Sequence, residues 1–441
     1  MPAKPPANLS RSLKFLVVFV LYFAEGVPFG FVYTTLSYFL RSRGVPLEQI
    51  GILSLLGLAW SLKVLWSPLA DRFGTRAAWL VPAQVLVILS MLGLAYVANA
   101  PVTLAFWVLV GVLCLASATQ DLAVDAYTID LLETDELGMA NGIRIGAYRV
   151  GLIAAGGGVL IASDLVGWSP TFVGVAVIMA ALALTVVAFG PFHLARPEVA
   201  RAQTGQGLGQ IKESVQVLMR HPHMGAIIVF ILAYKAGDAF LGAMVSPFWR
   251  DLGFSGTQFG VASITVGKVP AIVGGFLGGV ITARWGISRA LWLLGILQAC
   301  SILGYWAAAL PGSWRYTIYA ATLGESLAGQ MGSAAFMAFL MCLCDKRFSA
   351  SHYAFLSMLF GLSARLCGYL GGWGAAYFGY ATFFFSELFG GLARLRPAPL
   401  GPARGPEDRG EGMRGRAGAF LQVAHASSAG GAASKGPCRG L

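Results

Sequence analysis

The chain has 441 residues, 57% of them hydrophobic and only 12% charged, with a mean hydropathy of +0.70 and a formal net charge of +11. A soluble domain carries roughly 25% charged residues, so the composition excludes one and defines a polytopic membrane protein. The basic residues fall in short connections between apolar runs, which directs them to an anionic membrane surface and away from nucleic acid.

Runs long enough to cross a bilayer, about 20 residues each, lie near 13–40, 47–70, 79–98, 102–132, 143–166 and 170–192. The first is too long for a signal-peptide core and has no cleavage site, so it reads as the first span. A polar interval follows, with an amphipathic stretch over Leu208–Arg220 suited to the membrane surface. Five more runs occupy 224–249, 257–283, 289–310, 315–344 and 352–376, and a twelfth begins at Tyr380 but dissolves. From Leu392 onward Arg, Gly, Pro and Ala dominate, a composition that builds neither core nor span. These are the residues that GC-rich DNA encodes out of frame, and a frameshift near residue 386 is the expectation. The predicted organisation is a helical bundle over 1–192, a cytoplasmic linker over 193–223, a second bundle over 224–390 and a disordered tail over 391–441.

With the N-terminus inside, Arg72, Arg76, Arg196, Arg201, Lys212, Arg284, Arg289, Lys346 and Arg347 are all on inner connections. The outer connections hold Arg41, Arg43, Arg250 and Arg315, so both termini are expected in the cytoplasm. The halves repeat: Glu48-Gln49-Ile50-Gly51 opens the second span and Thr257-Gln258-Phe259-Gly260 the eighth. Each of these spans ends in a basic, glycine-containing turn, Asp71 to Arg76 and Ala283 to Arg289. The expected fold is therefore all-α: two six-helix halves on the plan of the major facilitator superfamily, with a cavity between them and an apparently truncated twelfth helix. The Asp71 turn resembles that superfamily's signature loop, with Asp71, Arg72 and Arg76 as parts of a gating latch. Gly156–Gly158 and Gly274, Gly275, Gly278 and Gly279 read as close helix packing.

The fourth span carries Asp121 and Asp125 four residues apart, on one helical face. An ionised Asp at mid-bilayer costs about 2.5–3.5 kcal/mol on insertion scales, so such a pair faces a polar path. Glu25, Lys63, Asp130, Arg144, Arg149, Lys235, Asp238, Lys268, Glu325 and Arg365 add charge of both signs across both halves. Equal distance from the loop around 133–139 suggests that Asp125 pairs with Arg149, which leaves Asp121 as the carboxylate free to take up a proton. The alternative is that these residues simply lock spans four and five. Glu25 stands beside Gly26, Pro28 and Gly30, where a kink is expected. Asp238 follows Lys235 by one turn and can neutralise it. Lys63, Arg149, Lys235, Lys268 and Arg365 would line a cavity suited to an anionic substrate, with Tyr and Trp rings as faces for sugars. Six cysteines and five histidines form no disulfide, zinc or other metal framework, and no cofactor is expected.

Tyr22 to Gly30, Leu53 to Lys63, Ala118 to Asp121, Asp125 to Tyr127, Asn141-Gly142, Tyr148-Arg149 and Gly332 to Leu340 together resemble the AmpG-type muropeptide permeases. The resemblance implies a proton-driven importer in the bacterial inner membrane, not an enzyme. Its substrate would be N-acetylglucosamine–anhydro-N-acetylmuramic acid with or without peptide, for peptidoglycan recycling and with influence on β-lactamase induction. It also implies roles for Glu25, Lys63, Asp121, Asp125 and Arg149, and Glu325 is added as a substrate contact. Protons, membrane lipids and an anionic glycopeptide are then the partners of a monomer. A carrier of another anion such as acetyl-CoA, a non-transporting sensor and a membrane enzyme remain alternatives.

Overall fold

The computed structural model describes residues 10–67, 69, 76–132, 136–189, 217–219, 224–344 and 349–393. Every regular element among them is helical. The first half holds α1 (Arg11–Ser42), α2 (Leu47–Leu62), α3 (Arg76–Val97), α4 (Leu104–Leu131), α5 (Leu137–Ile153, continuing to Val166) and α6 (Trp168–Phe189). The second holds α7 (Met224–Asp251), α8 (Gly256–Trp285), α9 (Ile287–Ala309) and α10 (Thr317–Cys342). A last helical run, Ser349–Ala393, breaks at Gly379 into α11 (349–378) and α12 (380–393). Gly379 takes a φ of 73°, a left-handed turn that a side chain would strain. Among the described residues nine helices are long and apolar enough to cross a membrane, and α2 and α10 pack with them. The linker segment 193–216 and the tail beyond residue 393 lie outside the described residues, as do Asp71 and Arg72. Arg76 opens α3.

Three helices change pitch inside the bundle. π turns occupy Phe31–Leu36 of α1, Ala154–Gly158 of α5 and Ser263–Lys268 of α8. The kink expected at Glu25–Gly30 takes this form one turn later, since α1 runs unbroken through Pro28. Gly26 and Gly30 are close-packing positions. They press α1 onto the α5 backbone, where a Cβ on Gly30 would lie 2.7 Å from the Leu152 carbonyl oxygen.

The two halves join at one end. α2 packs along α11, and α5 crosses α8. The repeated tetrapeptides are the crossing points: a Cβ on Gly51 would sit 2.7 Å from the Tyr369 oxygen, and one on Gly260 2.6 Å from the Gly157 oxygen. Glycine is required at both because backbone meets backbone. At this far end, away from Ser10, one apolar core runs through both halves and includes Tyr38, Phe39, Phe172, Trp249, Phe254 and Phe259. Toward the N-terminal end the buried apolar residues separate into two cores. One is built around Val18, Leu80 and Tyr127, the other around Ile231, Leu294 and Phe336. The bundle is thus sealed at the far end and divided at the other, and the polar residues of the spans lie where the cores part.

Candidate functional site

In the first half the charges converge from four helices. α2 loses its regular hydrogen bonding at Gly57 and tightens into a 3-10 turn at Lys63–Leu65, which presents Lys63 to α4. The Lys63 ammonium bonds the Asp121 carboxylate and stands 3.6 Å from Asp125 Oδ2. Asp125 Oδ1 accepts a hydrogen bond from Tyr22 Oη at 2.8 Å and forms an ion pair with Arg144 Nη2 at 2.9 Å. The Arg144 guanidinium carbon lies 4.7 Å from the centre of the Tyr22 ring, so cation, ring and carboxylate form one unit. Glu25 is buried, and its carboxyl rests against that of Asp121.

Two expectations change here. Arg144, not Arg149, is the partner of Asp125. α4 ends at Leu131 and α5 starts at Leu137, so Asp125 and Arg144 stand at nearly equal depth, whereas Arg149 lies more than a turn deeper. Asp121 is likewise not unpaired, because Lys63 reaches it. Tyr22 is buried in the first half and donates its hydroxyl to Asp125.

The second half has its own cluster. The helical pattern of α7 is interrupted at Lys235, whose ammonium bonds Asp238, the Gly329 carbonyl at 3.1 Å and Gln298 Oε1 at 3.3 Å. Gln298 in turn donates to Asp238. Asp238 does neutralise Lys235, and Gln298, the single amide side chain of α9, completes the clamp. Glu325 folds over Gly329, with Oε1 3.0 Å from where a Cβ would be, and lies within the electrostatic reach of Lys235, Lys268 and Asp238. Lys268 closes the π turn of α8 and lies within the electrostatic reach of Glu325 and of Arg149 from the opposite half.

Arg365 of α11 stands apart from both clusters. Its guanidinium carbon lies 4.5 Å from the ring centre of Tyr33 and 5.4 Å from that of Phe29. Phe29 meets Trp60 edge-on at 5.3 Å and Tyr148 at 6.4 Å. Among the described residues the first-half cluster thus holds three carboxyls with two balancing cations, the second-half cluster holds Lys235 and Lys268 with Asp238 and Glu325, and an aromatic box faces Arg365 between them. Arg144, Gln298 and Phe29 were not among the expected site residues. Arg144 is visible in the sequence as a charge within a span and Gln298 as an isolated amide in an apolar helix, whereas Phe29 carries no comparable signal.

Helices of this number, two halves joined at one end and a charged cleft between them define a membrane transporter. The family model of the Major Facilitator Superfamily matches residues 15–324, and the chain belongs to that superfamily. Within it the chain falls among the AmpG-type muropeptide permeases. It is 33% identical to the anhydromuropeptide permease of Escherichia coli (strain K12), over 84% of this chain and 76% of that protein. It is 28% identical to putative transporter AmpG 4 of Rickettsia felis, over 82% and 88%. Among solved structures, the nucleoside transporter NupG aligns with a TM-score of 0.67 at 15% identity, covering 87% of this chain and 100% of that one. A D-xylose-proton symporter aligns at 0.65 and 15%, covering 88% and 97%. These last two likenesses concern the fold alone.

Proposed function

We propose that this protein imports anhydromuropeptides across the bacterial inner membrane in symport with protons, supplying peptidoglycan recycling, with both termini in the cytoplasm. The substrate class is suggested by the name of the Escherichia coli relative. It fits a cleft that combines cations, for a carboxylate, with aromatic rings, for sugars. In this orientation the far end faces the periplasm and the divided end faces the cytoplasm.

The observation that carries proton coupling is the composition of the first-half cluster. Among the described residues Glu25, Asp121 and Asp125 face Lys63 and Arg144, three carboxyls against two cations. An excess charge in a span is costly, and one proton, held where Glu25 meets Asp121, removes it. Losing that proton to the cytoplasmic side leaves Lys63 bound more tightly between Asp121 and Asp125. Lys235, Lys268 and Glu325 on the other half, with Arg149, would hold the substrate's charged groups, and Asp71, Arg72 and Arg76 would latch the inner side.

Uptake of labelled anhydromuropeptide into right-side-out vesicles tests this reading. Expected is accumulation that depends on an inward proton gradient and collapses with an uncoupler. Asp121→Asn should abolish accumulation while leaving substrate exchange across the membrane intact. Absence of gradient-dependent uptake by the wild-type chain would falsify the proposal, and accumulation that survives Asp121→Asn would move the proton elsewhere.

A further inference from the structure

Between α1 and α2 of one half and α7 and α11 of the other lies a cavity of about 180 Å³, just inside the sealed end. Tyr33, Ser37, Ser54 and Arg365 supply its polar lining. Arg365 Nε and Tyr33 Oη are both buried without a hydrogen-bond partner. No carboxylate among the described residues pairs with Arg365, although every other cation of the cleft lies near an acid or another cation. An unpaired guanidinium within a span and two unsatisfied buried donors are each expensive. The backbone has been shaped to keep them there. α2 breaks at Gly57, where a Cβ would collide with the Tyr33 hydroxyl, and the Tyr33 and Phe29 rings fix the guanidinium.

We propose that this cavity is a carboxylate subsite, in which Arg365 and Tyr33 Oη together hold a carboxylate borne by the transported substrate. This rests on the functional reading above and names the group recognised. A planar carboxylate matches the two parallel N–H donors of one guanidinium, and a single cation meets a single negative charge. The Tyr33 hydroxyl gives the third hydrogen bond. Because the subsite is built from both halves, its occupation also ties them together at the sealed end. The expected consequence is discrimination between an acid and its neutral amide.

The test compares N-acetylglucosamine–anhydro-N-acetylmuramic acid, with its free lactyl carboxylate, and the corresponding primary amide. Each is titrated by calorimetry against the purified full-length protein and also used to compete with labelled uptake. On the wild type the acid should bind about ten- to a hundredfold more tightly than the amide, the range of a charged hydrogen-bonded pair. Arg365→Gln should bring that ratio close to one by weakening the acid alone. Tyr33→Phe, which keeps the ring, should reduce but not erase the ratio, and Arg365→Lys should retain part of it. A ratio unchanged in Arg365→Gln, or equal loss of acid and amide in both Arg365→Lys and Arg365→Gln, overturns the subsite. Should the wild type bind the acid in an Arg365-dependent way yet show no gradient-driven uptake, the transport reading fails while the subsite stands.

Discussion

Lys63 holds together more of the site than any other single residue. Its ammonium touches one carboxylate, lies close to a second and has Glu25 behind the first, while its side chain keeps only 26% of its exposure. Removing one partner of a buried pair leaves the other charge uncompensated, which is far worse than removing both. Lys63→Met should therefore lower the stability of the detergent-solubilised protein by about 3 kcal/mol, the lower end of the buried-pair range because Lys63 is partly open. Asp121→Asn in the same chain should restore most of that loss. Thermal unfolding of the two single variants and the double variant measures the coupling directly. Simple additivity would mean that Lys63 faces the cleft for the substrate's sake and that the ion pair contributes little.

At the scale of the helix, the repeat of Glu48–Gly51 in Thr257–Gly260 was legible in the sequence, but its purpose was not. The pattern announces that two spans are related. That their glycines are where each half touches the other depends on which helices cross, and no local residue records it. The same limit explains the misplaced partner of Asp125. Asp125, Arg144 and Arg149 could all be recognised as costly charges, yet choosing between the two arginines needs the helix ends at Leu131 and Leu137 to within a few residues. The pairing of Arg365 with Tyr33 joins α11 to α1 across the halves and was illegible for the same reason. Glycine position gives a clean test of the crossing. Gly260→Ala places a methyl 2.6 Å from the Gly157 oxygen and should cost about 1–3 kcal/mol through overpacking. Gly275→Ala, on the same helix with nothing within 4 Å, should be neutral or stabilise by about 0.5–1 kcal/mol through helix propensity. Melting temperatures of the two variants decide the matter, and an equal response would show that α5 and α8 do not cross at this point.

For the whole molecule, the sealed end is held by an apolar core through both halves and by a small set of polar bonds across them. Arg41 of α1 places Nε 2.6 and 2.8 Å from the two oxygens of Asp251, a carboxylate that Tyr380, on the same half as Asp251, also holds at 2.9 Å. Tyr38 donates to the Phe254 carbonyl at 2.7 Å, and Asp164 accepts from the Thr257 backbone N–H at 2.6 Å. A transporter that alternates access must break the bonds that run from one half to the other together, so each of those should weigh on the balance between the two open states without touching the substrate site. The Arg41–Asp251 pair is the most separable, being about one-quarter exposed on each side. Exposed pairs are worth about 0.2–1 kcal/mol, so Asp251→Asn should move the equilibrium toward opening at this end by up to roughly fivefold. Spin labels at Gln49 and Trp314, one on each half near this end, report the change as a larger long-distance population. The effect should shrink as salt is raised, because the pair is screened, while the apolar seal is not. A distance distribution unaltered by Asp251→Asn would assign the closure of this end to the aromatic core alone.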